Sequence, residues 1–353
     1  MAHHMALHTP ERLPVGAFDV RALAAPGKRR YALVVAAAPD GQDLAFPAVV
    51  VAGARPGPTL LVCGAVHGDE YEGTVAIQDV FDALEPEALR GIFVGIPVVH
   101  GAAFAAARRE SPWDGLDLAR AFPGDPAGSP TQRIAHAFRT YLLPQADFLL
   151  DMHSGGNAYA IFHLAGYQLR EGELGRVQRE AAIAFGAPLV WGTAVLPGRT
   201  LSAAGDLGIP AIYVEMRGEG RCRPTDRARA VGGLRQVMAY LGMLDGSYPT
   251  AAPYVVEDPQ PASGHLQADH RSPTSGLFVP HVDLWDPVEA GQLLGEVRHP
   301  DGTVLATVPA VRAGRVLFLR TLPRVVAGDA LAFVLSLPSA GSPDGSDSPD
   351  AIP

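Results

Sequence analysis

Two histidines and a glutamate follow apolar runs of the sequence and have the side chains that suit a metal ion. His67 and Glu70 are three residues apart, after the apolar run 60–63 and before a helical pattern. His153 follows a second apolar run, 148–150. Two His with one Glu can hold zinc and leave its fourth position open for water, as in catalytic sites. If the two runs are neighbouring strands, the pattern predicts a catalytic zinc site.

Each of these residues also has a structural interpretation. Asp69 and Glu70 could simply favour the N-terminus of the following helix, with His67 a satisfied polar residue. His153 could be a core histidine. The metal is favoured because functional groups of α/β proteins gather where parallel strands end, and all three residues follow strands in this way.

Hydrolysis at such a site needs a base. Glu215 ends a third apolar run, 211–214. A carboxylate near a cation and partly shielded from water suits the work of a general base and then a general acid. An ordinary ion pair with Arg217 is the alternative.

The segment 108–120 is unusually charged for this chain and shows no helical period, which predicts a structured loop. Its arginines could polarise a carbonyl, stabilise an oxyanion or clamp a substrate carboxylate. A solvated loop with surface ion pairs is the alternative interpretation.

The elements that must position these residues alternate between strands and helices over residues 16–248. The alternation predicts an α/β fold whose sheet is covered by helices on both faces. Residues 249–338 instead offer many short β candidates separated by turns, which indicates a small all-β C-terminal domain. The candidate strands of the first part are 31–37, 46–52, 59–63, 92–98, 147–150 and 211–214, and its candidate helices are 73–84, 131–143 and 224–243.

Composition restricts the remaining function classes. The net charge of −9, from 28 Lys and Arg against 37 Asp and Glu, argues against a nucleic-acid partner. We find no apolar run of 18 residues and no signal peptide, so we expect no membrane partner and a cytoplasmic location. Residues 1–15 and the Ser/Pro-rich tail 339–353 are expected to be disordered.

Taken together, these motifs resemble the succinylglutamate desuccinylase/aspartoacylase family of carboxypeptidase A-like zinc hydrolases. The resemblance covers about residues 20–335. It is closest to a bacterial branch of N-acetyl-diaminobutyrate deacetylases, which shares the stretch HGDEYEG at 67–73. The further matches are Arg109, the run 117–124, Asp151-Met152-His153 and Val214-Glu215.

The resemblance implies a fold, a cofactor and residue roles. The fold is a zinc carboxypeptidase-like, mixed and mostly parallel central sheet flanked by helices, with the small β domain after it. One Zn²⁺ per chain is implied. The implied roles are metal ligation by His67, Glu70 and His153, general base catalysis by Glu215, polarisation of the scissile carbonyl by Arg109, carboxylate binding by Arg120, and orientation of the first His by Asp117.

One position departs from the family pattern. The family motif is usually Asp-Leu-Asn-Arg, whereas residues 117–120 of this chain are Asp-Leu-Ala-Arg, with Ala119 in the position of the Asn. The lost amide removes a hydrogen bond that contributes about 1–3 kcal/mol when its partner is charged. We therefore expect that the substrate carboxylate is held differently, or that the substrate has none.

The function expected from the sequence is a zinc-dependent amidohydrolase that cleaves a small N-acylated amino acid or a related linear amide. The expected partner is that small molecule, and a homo-oligomer is left open. The alternatives are a zinc carboxypeptidase acting on short peptides, a non-catalytic zinc-binding relative, and an α/β protein without a metal.

Overall fold

The computed structural model describes residues 9–23, 25–261 and 263–337. The predicted disordered tail 339–353 lies outside the described residues. Within the predicted disordered N-terminus, Glu11–Pro14 instead forms a strand that pairs with Tyr31–Val34, so main-chain pairing orders a segment that lacks a strong apolar pattern. Among the described residues, no helix is long and apolar enough to cross a membrane.

The first eleven strands include the ten strands of the large sheet. They are β1 Glu11–Pro14, β2 Gly27–Ala37, β3 Asp43–Ala52, β4 Arg55–Gly64, β5 Arg90–Ile96, β6 Phe148–Ser154, β7 Tyr159–Ile161, β8 Leu164–Gln168, β9 Leu189–Thr193, β10 Ala211–Met216 and β11 Tyr254–Asp258. The sheet order is β1-β2-β3-β5-β4-β6-β10-β8-β9-β11. Six of its nine neighbouring pairs are parallel, and the other three, β2–β3, β3–β5 and β10–β8, are antiparallel. The prediction of a mixed, mostly parallel sheet is confirmed.

Helices cover both faces of this sheet. They are α1 Glu72–Ala83, α2 Gly101–Ala105, α3 Pro130–Ala137, α4 Gly172–Ala184, α5 Thr200–Gly205 and α6 Pro224–Tyr240. Buried residues of α1, α4 and α6 belong to one apolar cluster with one face of β4 and β6. Buried residues of α3 and α5 belong to a second cluster with the opposite face. Two-sided burial accounts for the continuous apolar runs that reveal the central strands in the sequence.

The C-terminal part consists of two antiparallel sheets. Its strands are β12 His270–Arg271, β13 Gly276–Pro280, β14 Pro287–Val288, β15 Leu293–Arg298, β16 Val304–Pro309, β17 Gly314–Arg320, β18 Arg324–Val325 and β19 Ala330–Leu335. The short strand β7 pairs with β17 and so joins one of these sheets, while β11 pairs with β9 in the large sheet. A strand from before residue 248 thus joins a C-terminal sheet, and a strand from after residue 248 joins the large sheet. The division into 16–248 and 249–338 stays a prediction.

Candidate metal centre and active site

Three adjacent parallel strands bring the candidate residues to one edge of the large sheet. β4 lies beside β6, and β6 lies beside β10. His153 is part of β6, and its register partner on β10 is Glu215. His67 and Glu70 lie in the turn between β4 and α1. The carboxyl ends of neighbouring parallel strands share an edge, so these four residues line one cavity.

Close backbone packing fixes the turn that carries His67. The Gly68 amide donates to the Arg108 carbonyl at 3.1 Å. A Cβ at Gly68 would lie 1.9 Å from the carbonyl carbon of Ala103 in α2. Only glycine lets the turn approach α2 so closely.

His67, Glu70 and His153 form a compact buried cluster. His67 Nδ1 lies 2.7 Å from Glu70 Oε1, and His153 Nδ1 lies 2.8 Å from Glu70 Oε2. One ligand atom from each of the three residues lies within 4.8 Å of the others. A single cation is therefore within reach of all three.

The far nitrogen of each imidazole faces a carboxylate. His67 Nε2 lies 3.1 Å from Asp117 Oδ1, and His153 Nε2 lies 3.0 Å from Asp151 Oδ2. Asp151 also accepts from the Cys63 thiol at 3.2 Å and from the Thr200 hydroxyl. A carboxylate behind each ring favours the tautomer with a proton on Nε2, which leaves the Nδ1 lone pair for a metal. The donor set fits zinc.

The charge around this cluster also suits a cation. Burial alone would raise the pKa of Glu70, but the adjacent His67 and His153 hold it below its usual value. The pKa of Asp117 lies below its usual value as well, because His67 and Arg109 outweigh its burial. The lowered pKa values of Glu70, Asp117 and Asp151 keep three carboxylates ionised around the two imidazoles, and a divalent cation at the imidazoles would compensate their charge.

Glu215 has a different environment. Burial, reinforced by the charge of Glu70, raises its pKa to about 8 although His153 opposes the shift. Its Oε2 is buried and has no hydrogen-bond partner in the described part of the chain. A carboxyl with a raised pKa and a free oxygen can take up a proton and release it again.

Arg109 is anchored beside the cluster. Its Nε and Nη2 donate to Asp117 Oδ2 at 3.2 and 3.0 Å. Its Nη1 lies 3.3 Å from His67 Nδ1. Asp117 therefore contacts both His67 and Arg109 and fixes the position of one relative to the other.

Arg120 and Arg199 line another part of the cavity, whose volume is about 730 Å³. Burial and the neighbouring Arg199 lower the pKa of Arg120 to about 10, and burial also lowers the pKa of Arg199. Among residues 9–23, 25–261 and 263–337, the hydrogen bonds of these two guanidinium groups go to the Ala119 and Gly264 carbonyls and to His265, and not to a carboxylate. Two neighbouring guanidinium groups without an ion-pair partner are able to attract an anion.

Sequence reasoning did not assign roles to Arg199, Asp151 or Tyr159, all of which line this cavity. The position of Asp151 could have been predicted, because residues two apart on a strand point to the same face, as Asp151 and His153 do. No apolar run of the sequence leads directly to Arg199 or to Tyr159. No sequence pattern therefore indicates a role for either residue.

Comparison with known proteins places this sequence in a family. Residues 56–241, more than half of the 353 residues, match the sequence profile of the succinylglutamate desuccinylase/aspartoacylase catalytic domain. The chain belongs to the succinylglutamate desuccinylase/aspartoacylase family. The resemblance inferred from the motifs is therefore confirmed.

Relatives within this family are similar over most of their length. The N-alpha-acetyl-L-2,4-diaminobutyric acid deacetylase of Halomonas elongata is 35% identical over 285 residues, which cover 79% of this chain and 82% of that protein. A succinylglutamate desuccinylase from a Silicibacter species superposes with a TM-score of 0.79 at 30% identity, covering 90% and 97% of the two chains. The product-bound ectoine utilization protein EutE (DoeB) of Ruegeria pomeroyi has a TM-score of 0.76 at 30% identity, covering 88% and 94%.

Proposed function

We propose that the chain is a zinc-dependent deacylase that hydrolyses the amide bond of a small N-acylated amino acid. The observation that carries the proposal is the grouping of His67, Glu70 and His153 beside Glu215 in one cavity. The relative from Halomonas, named as a deacetylase of an N-acetylated amino acid, supports the substrate class.

We assign one Zn²⁺ per chain to His67, Glu70 and His153. The support is the 4.8 Å grouping of their ligand atoms and the carboxylate behind each imidazole. When bound, the ion supplies a Lewis acid toward the amide carbonyl and makes water easier to ionise.

In this proposal Glu215 moves the proton. Its free, buried oxygen takes a proton from the attacking water, whose oxygen bonds to the acyl carbon. Glu215 then gives that proton to the leaving nitrogen as the carbon–nitrogen bond breaks. The products are a carboxylic acid and an amine. Arg109, held by Asp117 through Nε and Nη2, has its Nη1 3.3 Å from His67 Nδ1, and from that position beside the metal site it stabilises negative charge on the acyl oxygen.

Arg120 and Arg199 are the proposed binding groups for the substrate carboxylate. Ala119 lacks the amide that the family pattern places beside Arg120. Arg199, whose charge lowers the pKa of Arg120, supplies a second guanidinium from the start of α5 instead. The carboxylate is thus held by two cations rather than by one cation and an amide.

A hydrolysis screen with added zinc tests the function. We expect turnover of N-acyl amino acids, slower turnover of the matching N-acyl amino acid amides, and little turnover of longer peptides. Residues 264–268 and 328–330, from the C-terminal part, also line the cavity and restrict its size. Dominant peptide cleavage would instead support the carboxypeptidase, and bound zinc without any hydrolysis would support the non-catalytic relative.

The role of Glu215 gives the first mutational prediction. Glu215→Gln should lower kcat by about 10²–10⁴-fold, because the proton acceptor is lost, while zinc content stays near one per chain. His67→Ala should lose both zinc and activity. Zinc is measured by elemental analysis, and the exposed Glu87→Gln is the control. Full turnover by Glu215→Gln would rule out the proposed base.

A further inference from the structure

Tyr159 lies in the same cavity, six residues after His153, at the start of β7 and directly after a tight turn. Its backbone amide donates to the Gly155 carbonyl at 3.2 Å. A Cβ at Gly155 would lie 2.2 Å from the Tyr159 carbonyl oxygen, so glycine is required for the chain to turn back so sharply. The position of Tyr159 relative to His153 is therefore fixed by the backbone.

The C-terminal sheet holds Tyr159 from the other side. Tyr159 is the register partner of Arg320 on β17, and the Thr321 amide donates to the Ala158 carbonyl at 2.8 Å. Its ring packs against Phe318 with centroids 4.4 Å apart. The phenol is thus held between the large sheet and the C-terminal sheet.

Arg320 is a buried cation whose donors are nearly all used. Its Nε donates to the Leu322 carbonyl at 2.9 Å and its Nη2 to the Arg324 carbonyl at 2.7 Å. Nη2 also lies 3.1 Å from Asp329 Oδ2. Its Nη1 donates to the Tyr159 hydroxyl oxygen at 3.3 Å, and the residue is only 7% exposed.

This contact determines whether the hydroxyl of Tyr159 can donate or accept a hydrogen bond in the cavity. A guanidinium only donates, so the phenol oxygen accepts from Arg320. The hydroxyl proton has no acceptor among the described residues, since the contact with Arg320 is the one hydrogen bond that the hydroxyl makes there. Because Tyr159 lines the cavity, the proton is available to an acceptor that enters it.

We propose that Tyr159 is a specificity-determining residue whose hydroxyl donates a hydrogen bond to an oxygen of the substrate, and that Arg320 is its positioning residue. The acceptor is either the carboxylate or the acyl carbonyl oxygen of an N-acyl amino acid. The inference rests on the proposed deacylase function and adds a recognition element from outside the metal cluster.

Tyr159→Phe tests the inference in the full-length, zinc-loaded enzyme. Removing the hydroxyl should lower kcat/KM by about 10-fold, the usual effect of one hydrogen bond to a charged or developing anionic oxygen. Zinc content should not change, and the protein should remain folded although Arg320 Nη1 loses its acceptor. Tyr254→Phe is the matched control, since Tyr254 is also half-buried and packs against Trp285 away from the cavity.

Two substrate classes locate the acceptor. If the hydroxyl contacts the carboxylate, the effect appears in KM for N-acyl amino acids and vanishes for their amides. If it contacts the acyl oxygen, the effect appears in kcat for both classes. Unchanged kcat/KM with an active wild type would overturn the inference alone, whereas an inactive wild type would overturn the proposed function.

Arg320→Lys tests whether Arg320 orients the Tyr159 hydroxyl or only stabilises the fold. Lysine keeps the buried charge beside Asp329, but its single nitrogen cannot also reach both carbonyls and the phenol. We expect a loss in kcat/KM similar to that of Tyr159→Phe, and little further loss in the double variant. Fully additive losses, or a loss caused only by lowered stability, would contradict the positioning role.

Discussion

Each imidazole of the candidate metal centre has its own carboxylate, but the two carboxylates differ in burial. Asp117 has a side chain that is 19% exposed and shares its charge with Arg109, whereas Asp151 is 1% exposed. Asp151 also accepts from Thr200, the first residue of α5, so it connects His153 to the helix that follows Arg199. A substitution of Asp151 should therefore change metal binding through His153 and leave the position of Arg109 unchanged.

Asp151→Asn is predicted to weaken zinc binding by about 10–100-fold, because the amide no longer favours the His153 tautomer with a free Nδ1. Competition with a chromogenic zinc chelator measures this directly. Asp125→Asn, at an exposed turn, is the control. Unchanged zinc affinity in a folded Asp151→Asn protein would remove Asp151 from the site.

The elements that form the site differ in how they could be predicted. β4, β6 and β10 are buried on both faces, and their apolar runs predicted where His67, His153 and Glu215 would meet. His153 lies inside β6 rather than in the turn after it, because the strand continues to Ser154. That extension could not be seen in the sequence, since Asp151, His153 and Ser154 are polar residues buried by their partners.

Other parts of the site depend on contacts that are distant in sequence. β7 has three residues, too few for a pattern, and exists because β17 pairs with it. Arg199 is brought near Arg120 by Gly198, where a Cβ would lie 2.8 Å from the Arg120 carbonyl oxygen. Such close approaches are decided by tertiary packing, which no local periodicity reports.

At the scale of elements, the contact between the β4–α1 turn and α2 provides a matched pair of glycines. Gly68→Ala should destabilise the protein by about 1–3 kcal/mol or more, because the new Cβ meets backbone atoms that cannot rotate away. Gly101→Ala, at the first position of α2 with open space around it, should be neutral or slightly stabilising. Urea unfolding of both variants measures the difference, and equal stabilities would refute the proposed close contact.

The stability of the whole molecule should depend on pH through a histidine outside the proposed site. His100 is fully buried, and burial lowers its pKa to about 4. Its Nδ1 accepts from the Ala103 amide at 3.4 Å, so a proton there would remove that hydrogen bond. Unfolded histidine titrates near pH 6.5, so between about pH 6.5 and 4 the unfolded chain binds more protons, and stability falls as the pH falls.

We therefore expect His100→Asn to flatten the pH dependence of stability. The free energy of unfolding of the wild type should be about 2 kcal/mol lower at pH 5 than at pH 7.5. The reason is that the unfolded chain binds a proton at His100 that the buried imidazole does not. Asparagine can still accept from the Ala103 amide but does not titrate. Urea unfolding of both proteins at the two pH values isolates this contribution, and identical slopes for wild type and variant would rule it out.

The pairing of β7 with β17 has a consequence for protein synthesis. A ribosome has made every residue assigned to metal binding and proton transfer once Glu215 is added. Phe318 and Arg320, which hold Tyr159 in place, come about 100 residues later. At typical elongation speeds this interval lasts about 5–20 s. The nascent chain therefore contains the proposed metal ligands and Glu215 before it contains the strand that holds Tyr159, and only the finished polypeptide can place the Tyr159 hydroxyl in the cavity.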